Sequence, residues 1–168
     1  MASIRCAHCG VLRTVAPGRG RPPTFCSGPC RQAAYRRRRA LPYVMESEAR
    51  WVRAVGKRPI MPDGSPASST DANTWALYGA VLAGRGDGVG VMLGGGLGCY
   101  DLDNVMPAEV RAFVATVKEP VLYVERSMSG NGAHVFVRAP ESRGWKRGNV
   151  ERYTWGRFIR MTFERVRV

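Results

Sequence analysis

GLGCYDLDN, residues 96 to 104, closes an apolar stretch whose alternation follows the two-residue period of a strand. Residues i and i+2 of a strand share a face, so Asp101 and Asp103 project together while Leu102 between them points into the core. Two carboxylates held that close repel each other unless a cation lies between them, and Mg²⁺ or Mn²⁺ takes oxygen ligands of this kind. The plain alternative is a pair of solvated acids at a strand end, because a bare Asp-x-Asp is a short motif.

Downstream, two segments join polar residues to further alternating apolar strands. SMSGNGAHVFVRAP, residues 127 to 140, offers Gly130, Gly132 and His134. Glycines let backbone approach a phosphate closely, and an imidazole can donate to a phosphate oxygen. VERYTWGRFIRMT, residues 150 to 162, offers Glu151 and Arg157, expected on opposite sides of a short hairpin turning around Thr154 to Gly156. A third carboxylate would complete a two-metal cage, and an arginine fork matches phosphate geometry. Glu125 is a rival third ligand. Because Ser127, two residues on, opens the glycine loop, Glu151 is preferred and Glu125 is expected to support the site or pair with an arginine.

The order DLDN, SGNGAH, VERY and RFIRMT resembles the archaeo-eukaryotic primase superfamily, which carries a DxD or DxE motif, a small-x-His motif and a third acid at a strand end in that order. The closer resemblance is to phage and plasmid primase-polymerases. Their N-terminal region, with a Lys-x-Pro element, a Ser/Thr before a Trp and a Gly-x-Gly strand, reads much like KRPIMPDGSPASSTDANTWALYGAVLAGRGDGVG, residues 57 to 90. The likeness covers residues 51 to 162.

Carried over position by position, the resemblance implies that Asp101, Asp103 and Glu151 hold Mg²⁺ or Mn²⁺ and that His134 contacts the phosphates of an incoming nucleoside triphosphate. Ser127, Ser129, Gly130 and Gly132 would shape that phosphate pocket, with Arg157 as a further phosphate or template contact. It implies an α+β fold: a small RRM-like catalytic sheet with helices over residues 41 to 168, after a zinc module over residues 1 to 40. Similar proteins follow the last strand with Thr-Gly and more chain. Here Thr162 is followed by Phe163 and no helicase domain follows, so a separate replicative helicase is an expected partner.

Cysteines form the second constellation. Cys6 and Cys9 are separated by two residues, Cys26 and Cys30 by three, a spacing suited to one tetrahedral Zn²⁺ held by four thiolates. A disulfide framework is the alternative. The N-terminus lacks an apolar leader run, so a reducing compartment, the cytoplasm of a bacterial host if the chain is phage-encoded, is expected. His8 reads as a solvated knuckle residue and Cys99 as a small buried hydrophobe. GRGRPPTFCSGPCRQAAYRRRRA resembles a small zinc-finger pattern of bacterial and phage proteins in which the second cysteine pair opens a basic helix. The first forty residues hold nine arginines and no acid, most of the formal net charge of +13. Such clustering is the footprint of a phosphate-backbone binder, here single-stranded template and primer. A solvated charge run or a membrane-surface patch are the alternatives, and Arg36 to Arg39 lack the apolar face that a membrane needs.

The first forty residues are too polar for a core and must lean on metal, while 45% hydrophobic content and four tryptophans suffice for the remainder. LPYVMESEARWVRAV predicts a mixed helix with Val44, Trp51 and Val55 as apolar positions; Thr70 or Asp71 caps a helix through TWALYGAVLAG with Trp75, Leu77 and Val81 in the core. Strands are predicted at VGVML, GCYDLD, VLYVERS, AHVFVRA, NVERY and RFIRMTF, with a helix over PAEVRAFVATV, giving one sheet with helices on one face. No apolar run reaches membrane-spanning length. Gly88-Val-Gly90 and GGGLGC do not complete a dinucleotide fingerprint, Gly56-Lys57 lacks the rest of a Walker loop, and two histidines exclude a multi-imidazole hydrolase. A primase-polymerase is the favoured function. A catalytically idle DNA-binding accessory protein and a metal-dependent nuclease remain beside it.

Overall fold

A computed structural model of the chain describes residues 2–6, 11–15, 20, 23–39, 41–82 and 84–168. The chain divides into two compact units, Met1–Ala40 and Leu41–Val168. No helix among the described residues is long and apolar enough to cross a membrane.

In the first unit, β1 (Ala2–Arg5) and β2 (Leu12–Val15) pair antiparallel, with Ser3 opposite Thr14. Cys6 follows β1 directly, and its N–H donates to the Val11 carbonyl at 2.9 Å. Helix α1 (Gly28–Arg39) starts beside Ser27, whose Oγ accepts from the Cys30 N–H at 3.3 Å. That contact satisfies a donor that the first turn would otherwise orphan. Arg36 to Arg39 form its last turn.

The second unit is mixed and rich in strands, of the α+β class. It opens with the short α2 (Tyr43–Glu46), then β3 (Trp51–Val55) and β4 (Arg58–Ile60). The helix predicted across this stretch is therefore wrong beyond Glu46. Trp51, Val52 and Ala54 are buried in a central strand between β4 and β5 (Gly88–Met92), and pairing on both edges overrides the weak helical pattern. The helix predicted after Thr70 is also absent. Two short 3-10 turns, Ala72–Thr74 and Tyr78–Val81, stand in its place, because Ala76 between them exchanges both backbone hydrogen bonds with Trp51, at 2.8 and 2.9 Å. Asp71 does cap, accepting from the Asn73 N–H at 3.0 Å. Val81 is buried and Trp75 is partly buried, but Leu77 is 53% exposed and not core.

Next come β6 (Leu97–Leu102), α3 (Pro107–Thr116), β7 (Val121–Arg126), β8 (Ala133–Arg138), β9 (Trp145–Arg147), β10 (Val150–Tyr153) and β11 (Phe158–Arg160). They build two sheets, β7-β8-β6-β10-β9 and β11-β5-β3-β4, where one was predicted. A shared core of Trp51, Val91, Cys99, Tyr123, Phe136 and Ile159 joins them. On the other face of the five-stranded sheet, Val110 and Phe113 of α3 pack with Tyr100, Leu102 and Val135.

β10 and β11 do not form the expected hairpin. β10 pairs with β6 and β9, whereas β11 pairs with β5 in the other sheet, so Thr154–Arg157 is a crossover between sheets. It is anchored by buried Thr154, whose Oγ1 accepts from the Ser142 N–H at 2.8 Å and donates to the Ser142 carbonyl at 3.0 Å. The approach of β5 to β11 needs a glycine: a Cβ on Gly90 would lie 2.4 Å from the Ile159 carbonyl oxygen.

Candidate functional site

The register of the five-stranded sheet aligns Glu125 of β7 with His134 of β8, His134 with Asp101 of β6, Asp101 with Glu151 of β10, and Glu151 with Lys146 of β9. Directly opposed residues share a face, so five ionisable side chains form one row across the sheet. The residues two positions back on β6 and two on along β8, Cys99 and Phe136, lie on this same face inside the core. The row therefore marks where the face leaves the core and opens into a cleft of about 500 Å³, whose walls include Asp101, Asp103, Ser127, Ser129, His134 and Arg157.

Glu125 is fully buried behind His134. Its carboxylate accepts from the Phe163 N–H at 2.8 Å and the Thr162 N–H at 3.2 Å, and lies 3.0 Å from His134 Nδ1. Nδ1 of His134 therefore faces the Glu125 carboxylate, and Nε2 faces Asp101, 3.8 Å from its Oδ1. Glu125 thus orients the imidazole; among the described residues its carboxylate is partnered by His134 and the Thr162 and Phe163 amides, and by no arginine side chain.

Asp101 is three-quarters shielded, with 24% side-chain exposure. Burial raises its carboxyl pKa above the ordinary value; the charge of His134 opposes that rise, Asp103 and Glu151 add to it, and Arg157 also opposes it. Asp103 follows the end of β6 and is exposed, with its backbone fixed by two contacts to Asn149 at 2.8 and 3.0 Å. Glu151 is differently placed. Lys146 Nζ and the Tyr153 hydroxyl, at 2.6 Å, both donate to its carboxylate, and these hydrogen bonds, Lys146 first, lower its pKa. Asp101 and Asp103 thus line the cleft, while Glu151 sits beside it already paired with a cation.

The Ser127–Gly132 loop has two sides. Ser127 and Ser129 line the cleft with their hydroxyls 3.1 Å apart. Gly130 and Gly132 do not line it; they shape the turn and line a groove on the far side. Gly132 is needed because a Cβ there would lie 2.3 Å from the Leu102 carbonyl oxygen. Arg157 lies 4.5 Å over the Tyr153 ring at the cleft. Lys57 and Arg160 are cleft residues to which motif reading gave no site role. Lys57 stood in the Lys-x-Pro element. Arg160 gave no separate signal, and its guanidinium is held by Asp87 Oδ1 at 2.8 Å.

In the first unit the thiols of Cys6, Cys26 and Cys30 lie within 4.8 Å of one another, the only group of three or more metal-ligand side chains that close among the described residues. Cys26 and Cys30 Sγ are 3.4 Å apart. Three converging thiols could hold a metal ion. Cys9 and His8 lie outside the described residues, as do the side chains of Arg36 to Arg39. Cys99 is free and fully buried, and burial pushes its thiol pKa well above the ordinary value. No protein-family model and no curated protein matches this sequence.

Proposed function

We propose that this chain is a small primase-polymerase-type nucleotidyl transferase with an N-terminal zinc module. The observation that carries the reading is the convergence of Asp101 and Asp103 with His134, Arg157 and two serine hydroxyls on one cleft at the end of the sheet. The carboxylates fit a hard divalent cation: oxygen donors suit it, and positive charge would relieve the burial and repulsion that raise the Asp101 pKa. Mg²⁺ or Mn²⁺, when bound, supplies neutralisation of triphosphate charge and a lowered pKa for the attacking hydroxyl.

The chain's own residues do the rest. Asp101 and Asp103 hold the cation, and Glu151 joins them when Lys146 leaves its carboxylate. His134, with its ring fixed by Glu125, presents Nε2 to the phosphates, and Ser127 and Ser129 donate to phosphate oxygens. Arg157 takes a further phosphate or the template. In the first unit Cys6, Cys9, Cys26 and Cys30 hold Zn²⁺, and the arginine-rich helix grips single-stranded template. A replicative helicase as partner and a cytoplasmic site of action complete the reading.

Incubation with single-stranded DNA, labelled nucleotides and Mn²⁺ tests it. Nucleotide addition is expected. Cleavage without addition would make the protein a nuclease. Binding without either would favour an idle accessory protein, a reading to which the Lys146 contact on Glu151 lends some support.

Two expectations concern the first unit. Thiolate binding and folding of a small module are one event, so chelation should loosen residues 1–40 and leave the circular dichroism melt of the larger unit in place. Elemental analysis should find one zinc per chain, and metal-free protein with oxidised cysteines would refute the site. Replacing Arg36 to Arg39 by alanine should weaken single-stranded DNA binding equally across sequences and flatten its salt dependence, because phosphate contacts carry charge and no base identity. An unchanged salt slope would make the run a solvated one.

A further inference from the structure

We infer that the groove between the start of α3 and residues 164–167 is a second nucleic-acid contact, a track for the single strand whose reacting end lies in the cleft. The groove, about 840 Å³, is larger than the cleft, from which the Ser127–Gly132 loop separates it. Arg111, Arg126, Arg165 and Arg167 line it, all exposed, against one acid, Glu164. Glu164 lies 4.0 Å from Arg126 Nε, and Arg165 lies 5.7 Å from the Tyr123 ring. Arg111 and Arg167 make no ion pair among the described residues. Val105, Val110 and Val166 supply apolar wall between these cations.

An apolar wall edged by guanidinium forks suits a chain of bases and phosphates, which presents stacking faces and regularly spaced anions. Connectivity favours this occupant over an acidic peptide. Asn104, at the groove, directly follows Asp103, at the cleft, and the Val105 N–H donates to the Asn131 carbonyl at 2.9 Å, tying the groove wall to the loop. Ser127 and Ser129 on one side of that loop and Asn131 on the other therefore form a single ridge. A strand with its end beside Asp101 crosses the ridge and meets the arginines. The choice of strand rests on the proposed function, but the contact is read without catalysis.

The test is binding of a mixed-sequence single-stranded oligonucleotide to the full chain across a salt series, with no divalent metal added. The double variant Arg111→Gln/Arg167→Gln is expected to bind several-fold more weakly. The slope of log K against log salt should fall in magnitude by about 1.4, two contacts at about 0.7 each for a single strand. A 4-thiothymidine oligonucleotide should crosslink to the parent within residues 104–111. Unchanged affinity and slope, or crosslinks confined to residues 1–40, would overturn the inference. So would loss of polyglutamate binding with oligonucleotide binding intact, which would assign the groove to acidic peptides. Nucleotide addition is scored separately, so failure of the catalytic reading and failure of the groove are distinguishable.

Discussion

Asp101→Asn is expected to reduce nucleotide addition by more than about 100-fold, beyond the 10- to 100-fold typical of losing a group that only orients a metal ligand. The substitution keeps the side chain's volume and removes the charge that a divalent ion needs. Stability should move the other way. Burial and the neighbouring Asp103 and Glu151 raise the Asp101 pKa, so its ionised form is disfavoured in the fold. A carboxyl whose folded pKa lies above its unfolded one opposes folding as pH climbs through that interval and beyond. At neutral pH without divalent metal, Asp101→Asn should therefore melt no lower than the parent, separating lost chemistry from lost structure. Asp103→Asn should also collapse activity. Parental activity in both variants would remove the carboxylates from catalysis and leave the accessory reading.

Glu125→Ala should be the most destabilising single change near the site. Glu125 is the fully buried acceptor for the Thr162 and Phe163 amides and the partner of His134 Nδ1. Each buried donor left without its acceptor costs about 1–3 kcal/mol, and several are orphaned together here, a large share of the roughly 5–15 kcal/mol by which whole domains are stable. The urea midpoint should drop accordingly. Glu125→Gln keeps one acceptor oxygen and should lose less. A midpoint equal to the parent's for the alanine variant would show that these contacts do not hold the 125–134–162 corner together.

Four strands of the larger sheet (β6, β7, β8 and β10), strands β5 and β11 of the other sheet, and helix α3 were legible in the sequence because each repeats its apolar positions at its own period over enough residues. The same alternation put Asp101 and Asp103 on one face and His134 on a strand, and spacing alone gathered Cys6, Cys9, Cys26 and Cys30, of which the three described converge. What sequence could not supply was partnership. WVRAV carries too little period to separate helix from strand, and it became β3 because β4 and β5 flank it. TWALYGAVLAG lost its helix to the pair of hydrogen bonds that Ala76 exchanges with Trp51, 25 residues earlier in the chain. RFIRMTF reads as a strand, but only the other sheet decides that it leaves β10 and pairs with β5. Local pattern therefore determined the strands of clear period and which residues carry charge. Tertiary register decided that Glu125 lies behind His134 as its support and that Lys146 sits on Glu151, because cross-strand neighbours are set by pairing between segments distant in sequence, which no local period records.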